Sequence, residues 1–157
     1  LEPFLHHDLS DLCRKYKELG YHITLETAGT LFLKVECNLL SISPKLSNST
    51  PHHRENGKYK LRHDEICLQP DVVRKLIDIA DYQLKFVIDS PEDTMEVREF
   101  LKSLGKIEKS KVLLMPQGIT REDLDKKSKW LVELCKEEGF RYCPRLHIDL
   151  YGNTLGT

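Results

Sequence analysis

Leu39-Leu40-Ser41-Ile42-Ser43-Pro44-Lys45-Leu46-Ser47-Asn48-Ser49-Thr50-Pro51 is a short apolar run that breaks into Ser-Pro-Lys and then into small hydroxyl and amide residues. It reads as a buried strand ending at a polar loop. In an α/β sheet the strand middles are apolar because they are buried, whereas the carboxyl ends open into a crevice where ligands bind. Polar residues at that point therefore have a physical reason to matter. Pro44 stops the ladder and biases Ser43 toward an extended conformation. Lys45 then offers a cation at the mouth, and Ser43 a hydroxyl and a peptide group. An ordinary strand followed by a Ser/Pro loop has the same composition, so both readings stand at this point.

Upstream, His22 to Thr27 is rich in β-branched residues and ends at Ala28-Gly29-Thr30, a strand followed by a tight turn. Leu31 to Glu36 fits a short helix or a strand equally. Before these, Asp8 or Ser10 caps a helix to about Leu19, with Leu9, Leu12, Cys13, Tyr16 and Leu19 at helical spacing and Gly20 as its stop. Downstream, residues 47–69 lose all period and read as one long loop. Pro70-Asp71 opens a helix and Tyr82 to Ile88 is a strand. Ser90-Pro91-Glu92-Asp93 starts the next helix, with Ser90 as the cap. Lys111 to Met115 is a strand running into Pro116-Gln117-Gly118, and Thr120 caps a helix through about Glu138. Arg141 to Tyr151 reads as a last strand on the alternation of Leu146, Ile148 and Leu150.

Strands alternating with amphipathic helices predict an α/β fold with a parallel sheet, open or curved into a partial (βα) barrel. Five strands are too few for a complete eight-stranded barrel. At 157 residues a single domain over positions 1–157 is expected. Leu1-Glu2-Pro3 begins without Met, so the expectation is a chain truncated at its amino terminus. Lys and Arg number 24 against 25 Asp and Glu, so no global field argues for nucleic acid or an anionic membrane surface. No apolar run reaches the ~20 residues of a membrane span and no signal-peptide pattern opens the chain, which predicts a cytoplasmic protein. Cys13, Cys37, Cys67, Cys135 and Cys143 are scattered without a C-x-x-C pair and read as reduced, mostly buried thiols.

Collecting the residues that follow each apolar run gives one rim: Glu26 to Thr30, Ser43-Pro44-Lys45, Asp89-Ser90, Met115-Pro116-Gln117-Gly118 and Tyr151-Gly152-Asn153. Glu26 and Lys45 fall on neighbouring strands and can pair, or jointly hold a ribose, amino or carboxylate group. Asp89 and Ser90 are already explained by helix capping. The pairs His6-His7 and His52-His53 read as solvated rather than metal-binding, and Glu2 alone is uninformative. No Ser-His-Asp arrangement, P-loop or dinucleotide fingerprint is present.

Leu25-Glu26-Thr27-Ala28-Gly29-Thr30, Ile42-Ser43-Pro44-Lys45-Leu46-Ser47, Tyr82-Gln83-Leu84-Lys85-Phe86-Val87, Val112-Leu113-Leu114-Met115-Pro116-Gln117-Gly118, Cys143-Pro144-Arg145-Leu146-His147-Ile148 and Tyr151-Gly152-Asn153 together resemble the 7-carboxy-7-deazaguanine synthase family of radical S-adenosylmethionine enzymes. The resemblance runs in order through nearly all of the chain and identifies it as a carboxyl-terminal portion. It implies a partial (βα) barrel that uses a 4Fe–4S cluster to split S-adenosylmethionine. The reaction converts 6-carboxy-5,6,7,8-tetrahydropterin to 7-carboxy-7-deazaguanine with loss of ammonia, assisted by Mg2+, in queuosine and archaeosine biosynthesis. A homodimer with no direct nucleic-acid or membrane partner is implied as well. Carried over, Ser43, Pro44 and Lys45, together with Met115, Pro116, Gln117 and Gly118, contact S-adenosylmethionine. Glu26 meets its polar groups, and the terminal carboxylate of Thr157 reaches the pterin.

The departure is in the cluster loop. Such enzymes carry three cysteines commonly spaced C-x-x-x-C-x-x-C, and none of the five here has that spacing. The family's Gly-Gly-Glu-Pro survives only as Glu2-Pro3. As written, the chain is expected to be inactive alone and to belong to an active longer protein. A competing expectation is a catalytically silent nucleotide-binding βα module that uses the same rim without a cluster.

Overall fold

Leu84, Phe86 and Ile88 alternate with Gln83, Lys85 and Val87, and that alternation decides how the sheet is built. The computed structural model of the chain describes residues 2–49 and 68–154. Five parallel strands form one sheet in chain order: β1 (Thr24–Thr27), β2 (Leu39–Ile42), β3 (Asp81–Ile88), β4 (Val112–Pro116) and β5 (Arg141–Tyr142). Among the described residues the α-helices are α1 (Leu9–Glu18), α2 (Pro70–Ile77), α3 (Asp93–Leu104), α4 (Arg121–Glu138) and α5 (Leu146–Tyr151). The expected α/β fold with a parallel sheet is present and is consistent with a partial (βα) barrel.

One face of the sheet makes the core. Leu25, Leu40, Ile42, Leu84, Phe86, Ile88, Val112 and Leu114 lie on it, and all are buried. Helices α2, α3 and α4 supply Val73, Leu76, Val97, Phe100, Leu131 and Cys135 to the same cluster. The Phe100 ring meets Phe86 edge-on at 6.0 Å. The other face carries Glu26, Ser41, Gln83, Lys85, Met115 and Arg141. A parallel sheet covered on both sides reads as continuous apolar strands. This second face mixes its polar residues with Leu39, Val87 and Leu113, and the site lies on it.

The turns follow local chemistry. Gly29 has φ +74°, and a Cβ there would lie 2.8 Å from Ile42 Cγ2 and 2.9 Å from Val73 Cγ2, so only glycine fits between β2 and α2. Thr120 caps α4 reciprocally: its Oγ1 accepts from Asp123 N at 3.2 Å and donates to the Asp123 carboxylate at 2.7 Å.

Several expectations are corrected. The final strand is only Arg141–Tyr142, because Pro144 ends the ladder and Leu146–Tyr151 coils into α5, where Ile148 alone is buried. Ser90 does not cap α3. It opens a tight turn in which Asp93 N donates to Ser90 O, so the α-helix starts only at Asp93. On α1, Leu9 and Cys13 are buried, but Leu12, Tyr16 and Leu19 are exposed. Leu31 to Glu36 is neither helix nor strand. Cys13, Cys37 and Cys135 are buried and Cys143 is half-buried. Ser47–Ser49 forms a 3-10 turn. The rest of the expected loop through residue 67, with His52, His53 and Cys67, lies outside the described residues, as does Thr157.

Candidate functional site

The backbone ladder continues one residue beyond β2, β4 and β5: Ser43 N donates to Thr27 O, Gln117 N to Ile88 O and Cys143 N to Leu114 O, each at 2.8 Å. These bonds bring the residues after the strands to one rim. A cavity of about 310 Å³ opens there, lined by Glu26, Thr27, Ala28, Ser43, Lys45, Lys85, Val87, Met115 and Arg145. Its size is at the lower end for small-molecule sites, which span about 300–1,000 Å³.

Of the residues expected at a site, Glu26, Ser43, Lys45 and Met115 line this cavity. The other four lie beside it. Pro44 is buried behind Ser43, and Pro116 is buried in register with Ile88. Gln117 is fastened by its backbone, its carbonyl accepting from Lys127 Nζ at 2.9 Å, while its side-chain Oε1 is buried with no partner among the described residues. Gly118 allows the loop to pass α4, since a Cβ there would stand 2.9 Å from both Asp123 Cβ and Leu124 Cδ2.

Charge is concentrated in the cavity. Lys85 Nζ lies 3.7 Å from Glu26 Oε1, so the partner of Glu26 is this lysine of β3 and not Lys45. Burial of the ammonium end pushes the Lys45 pKa below its usual value, and the Lys85 and Arg145 cations add to this, while Glu2 and Glu26 oppose it. Lys45 as a whole residue is exposed, although it lines the cavity. Arg145 is oriented by its Nε, which donates to Pro116 O at 3.1 Å.

Glu2 holds two of the lining residues, Thr27 and Ala28. Its carboxylate accepts from Thr27 Oγ1 at 2.8 and 2.9 Å and from Ala28 N at 2.9 Å, which fastens the start of the chain onto the end of β1. Sequence reasoning gave Glu2 no role beyond the Glu2-Pro3 remnant, and Lys85 and Arg145 none beyond their places in the quoted stretches. For Lys85 a signal existed, because Gln83 and Lys85 interrupt a central parallel strand whose two faces would ordinarily both be apolar. Glu2 and Arg145 are tied to the site only by contacts distant in sequence, to Thr27 and Pro116.

No group of three His, Cys, Asp or Glu residues stands close enough to hold a metal among the described residues. A second cavity of about 420 Å³ lies at the opposite strand ends, where Lys111 is committed to Asp81 at 2.5 Å and sits 4.8 Å over the Tyr82 ring.

No family model matches the chain. It is 38% identical, over 99% of its own length, to a 7-carboxy-7-deazaguanine synthase of Rhodopirellula baltica, and 37% identical over the same share to one of Halobacterium salinarum. A 7-carboxy-7-deazaguanine synthase of Pyrobaculum aerophilum matches at 35% over 46% of the chain. The crystal structure of QueE from Escherichia coli superposes with a TM-score of 0.60 at 19% identity, covering 92% of this chain and 52% of that one, which is a likeness of fold. The chain spans 61% and 64% of the first two relatives' lengths. Over that span, the chain is a relative of the 7-carboxy-7-deazaguanine synthases.

Proposed function

We propose that the protein carrying this chain is a radical S-adenosylmethionine lyase that converts 6-carboxy-5,6,7,8-tetrahydropterin to 7-carboxy-7-deazaguanine with loss of ammonia. In this reading, positions 1–157 form the carboxyl-terminal portion of its barrel. The observation that carries the reading is similarity over 99% of the chain to two synthases, together with Glu26, Ser43, Lys45 and Met115 meeting in one cavity.

S-adenosylmethionine suits the residues present. Lys45 and Arg145 supply cations for a carboxylate, Glu26 an acceptor for ammonium or ribose hydroxyl groups, and Met115 and Val87 an apolar wall. Gln117 holds the loop beside the cavity, its carbonyl accepting from Lys127 Nζ. A 4Fe–4S cluster does not suit them, since the cysteine spacing lacks the triplet. No step through it is assigned to these residues, and none is assigned to Mg2+. Their work is to bind and orient. The pterin contact of Thr157, a homodimer, a cytoplasmic location and the absence of nucleic-acid or membrane partners extend the same reading. No described helix is long and apolar enough to cross a membrane.

The test is to express the protein carrying this chain, reconstitute it anaerobically with iron and sulfide, and measure 5′-deoxyadenosine and 7-carboxy-7-deazaguanine. Both are expected, with loss of affinity for S-adenosylmethionine in Lys45→Ala and Gln117→Ala. Retained nucleoside binding without iron or turnover would overturn the reading in favour of a silent binding module.

A further inference from the structure

The pocket residue Lys45 has no regular structure around it, yet the segment that follows is held tightly. Ser47 donates its backbone N–H to both oxygens of the Glu96 carboxylate at 3.1 Å, and its Oγ donates to Oε2 at 2.8 Å. Asn48 Nδ2 donates to Asp93 Oδ2 at 2.8 Å and to Val87 O at 3.0 Å. The same Asp93 oxygen accepts the backbone N–H groups of Asp89 at 2.7 Å and Ser90 at 3.0 Å. Asp93 is 8% exposed and lines no cavity described above. A buried carboxylate is retained only where such donors compensate its lost hydration. These donors come from two loops, one leaving β2 and one leaving β3.

We propose that Asp93, seconded by Glu96, is a positioning residue that sets Lys45 in the rim cavity by tying the loop after β2 to the turn after β3 and the first turn of α3. Leu46, 1% exposed, fixes the chain between Lys45 and this tie, so a shift of Ser47 or Asn48 moves Lys45 with it. Asp93 touches no ligand in this arrangement and acts through Lys45. The inference rests on the reading above only for what Lys45 binds, and not for how Lys45 is held.

The experiment therefore follows Lys45 twice. In the protein carrying this chain, the titration of a 13C-dimethylated Lys45 is followed by NMR in the parent, Asp93→Asn and Glu96→Ala. The groups facing that ammonium are Lys85, Arg145, Glu2 and Glu26. Release from the cavity is expected to move the Lys45 pKa up toward 10.5, more in Asp93→Asn than in Glu96→Ala. Affinity for S-adenosylmethionine is then measured in a double-mutant cycle with Lys45→Met. A loss of about tenfold or more in Asp93→Asn is expected, and no further loss when it is added to Lys45→Met. Should Asp93→Asn fail to fold, the half-buried Glu96 gives the same two readings. An unchanged Lys45 titration in folded variants, or losses that simply add, overturns the proposal. A shifted titration with affinity indifferent to Lys45→Met keeps the positioning role and overturns the ligand reading instead.

Discussion

Lys85 and Glu26 meet across an intervening strand: they belong to β3 and β1, and their charged atoms stand 3.7 Å apart above β2. Between them β2 presents Ser41, a short side chain, on that face. Lys85→Met removes the cation. The Glu26 side chain is 75% exposed, so the stability cost is expected to stay below about 1 kcal/mol. Under the proposed function, affinity for S-adenosylmethionine is expected to fall about tenfold, roughly 1.4 kcal/mol. Chemical denaturation and calorimetric titration read the two quantities. A large stability loss with affinity intact would make Lys85 scaffolding.

Gly29→Ala combines two penalties, a side chain at φ +74° and a Cβ 2.8 Å from Ile42 Cγ2. Together they are expected to cost about 3 kcal/mol. Gly20→Ala, at φ +84° with nothing within 4 Å, carries only the conformational part, about 1 kcal/mol. Urea unfolding of the two variants side by side checks the difference, and equal losses would refute the packing argument.

Lys45 has its pKa lowered by burial, by Lys85 and by Arg145. Below that lowered value the lysine is charged in both folded and unfolded chains, and the folded state bears the full penalty. Between that value and 10.5 the unfolded chain holds the extra proton, so stability rises with pH in this window. Lys45→Met is expected to be more stable than the parent at neutral pH, with the gap closing as pH approaches 10.5. Taking the difference between the two proteins at each pH removes the contributions of all other groups. A gap that widens instead would reverse the sign argued here.

Burial pushes the Cys135 thiol up to about 11 and raises Cys13 and Cys37 as well. The thiolate is the reactive form. Iodoacetamide at pH 8 is expected to label the half-buried Cys143 first among the described cysteines and to reach the other three only on unfolding. Peptide mass spectrometry reads this directly.

What was legible in the sequence was what a short range determines. The period of Leu84, Phe86 and Ile88 is a property of one strand, and the Thr120–Asp123 cap spans a single turn. The rim was legible for the same reason, since in a parallel sheet the end of each strand is at the same end of the sheet. The α5 helix was not, because Leu146, Ile148 and Leu150 satisfy a strand's period and only the break at Pro144 and the lack of further pairing decide otherwise. Lys85 was passed over because it lies mid-strand and reaches the rim by the length of its side chain. Glu2 meets Thr27 across 25 positions of sequence, and Arg145 meets Pro116 across 29. Contacts of that kind exist only after the sheet has formed.

A strand order identical to chain order also bears on how the sheet comes together. Each strand's partner is the next one to leave the coil, so every pairing closes one crossover and waits for no distant segment. The crossovers are unequal, residues 28–38 between β1 and β2 against residues 43–80 between β2 and β3. Closure entropy grows by only about 0.6 kcal/mol for each doubling of length, so the longer one costs roughly 1 kcal/mol more. The closure that joins β3 to β2 is therefore the entropically costliest of the series, and it is the one that carries Lys85 to Glu26.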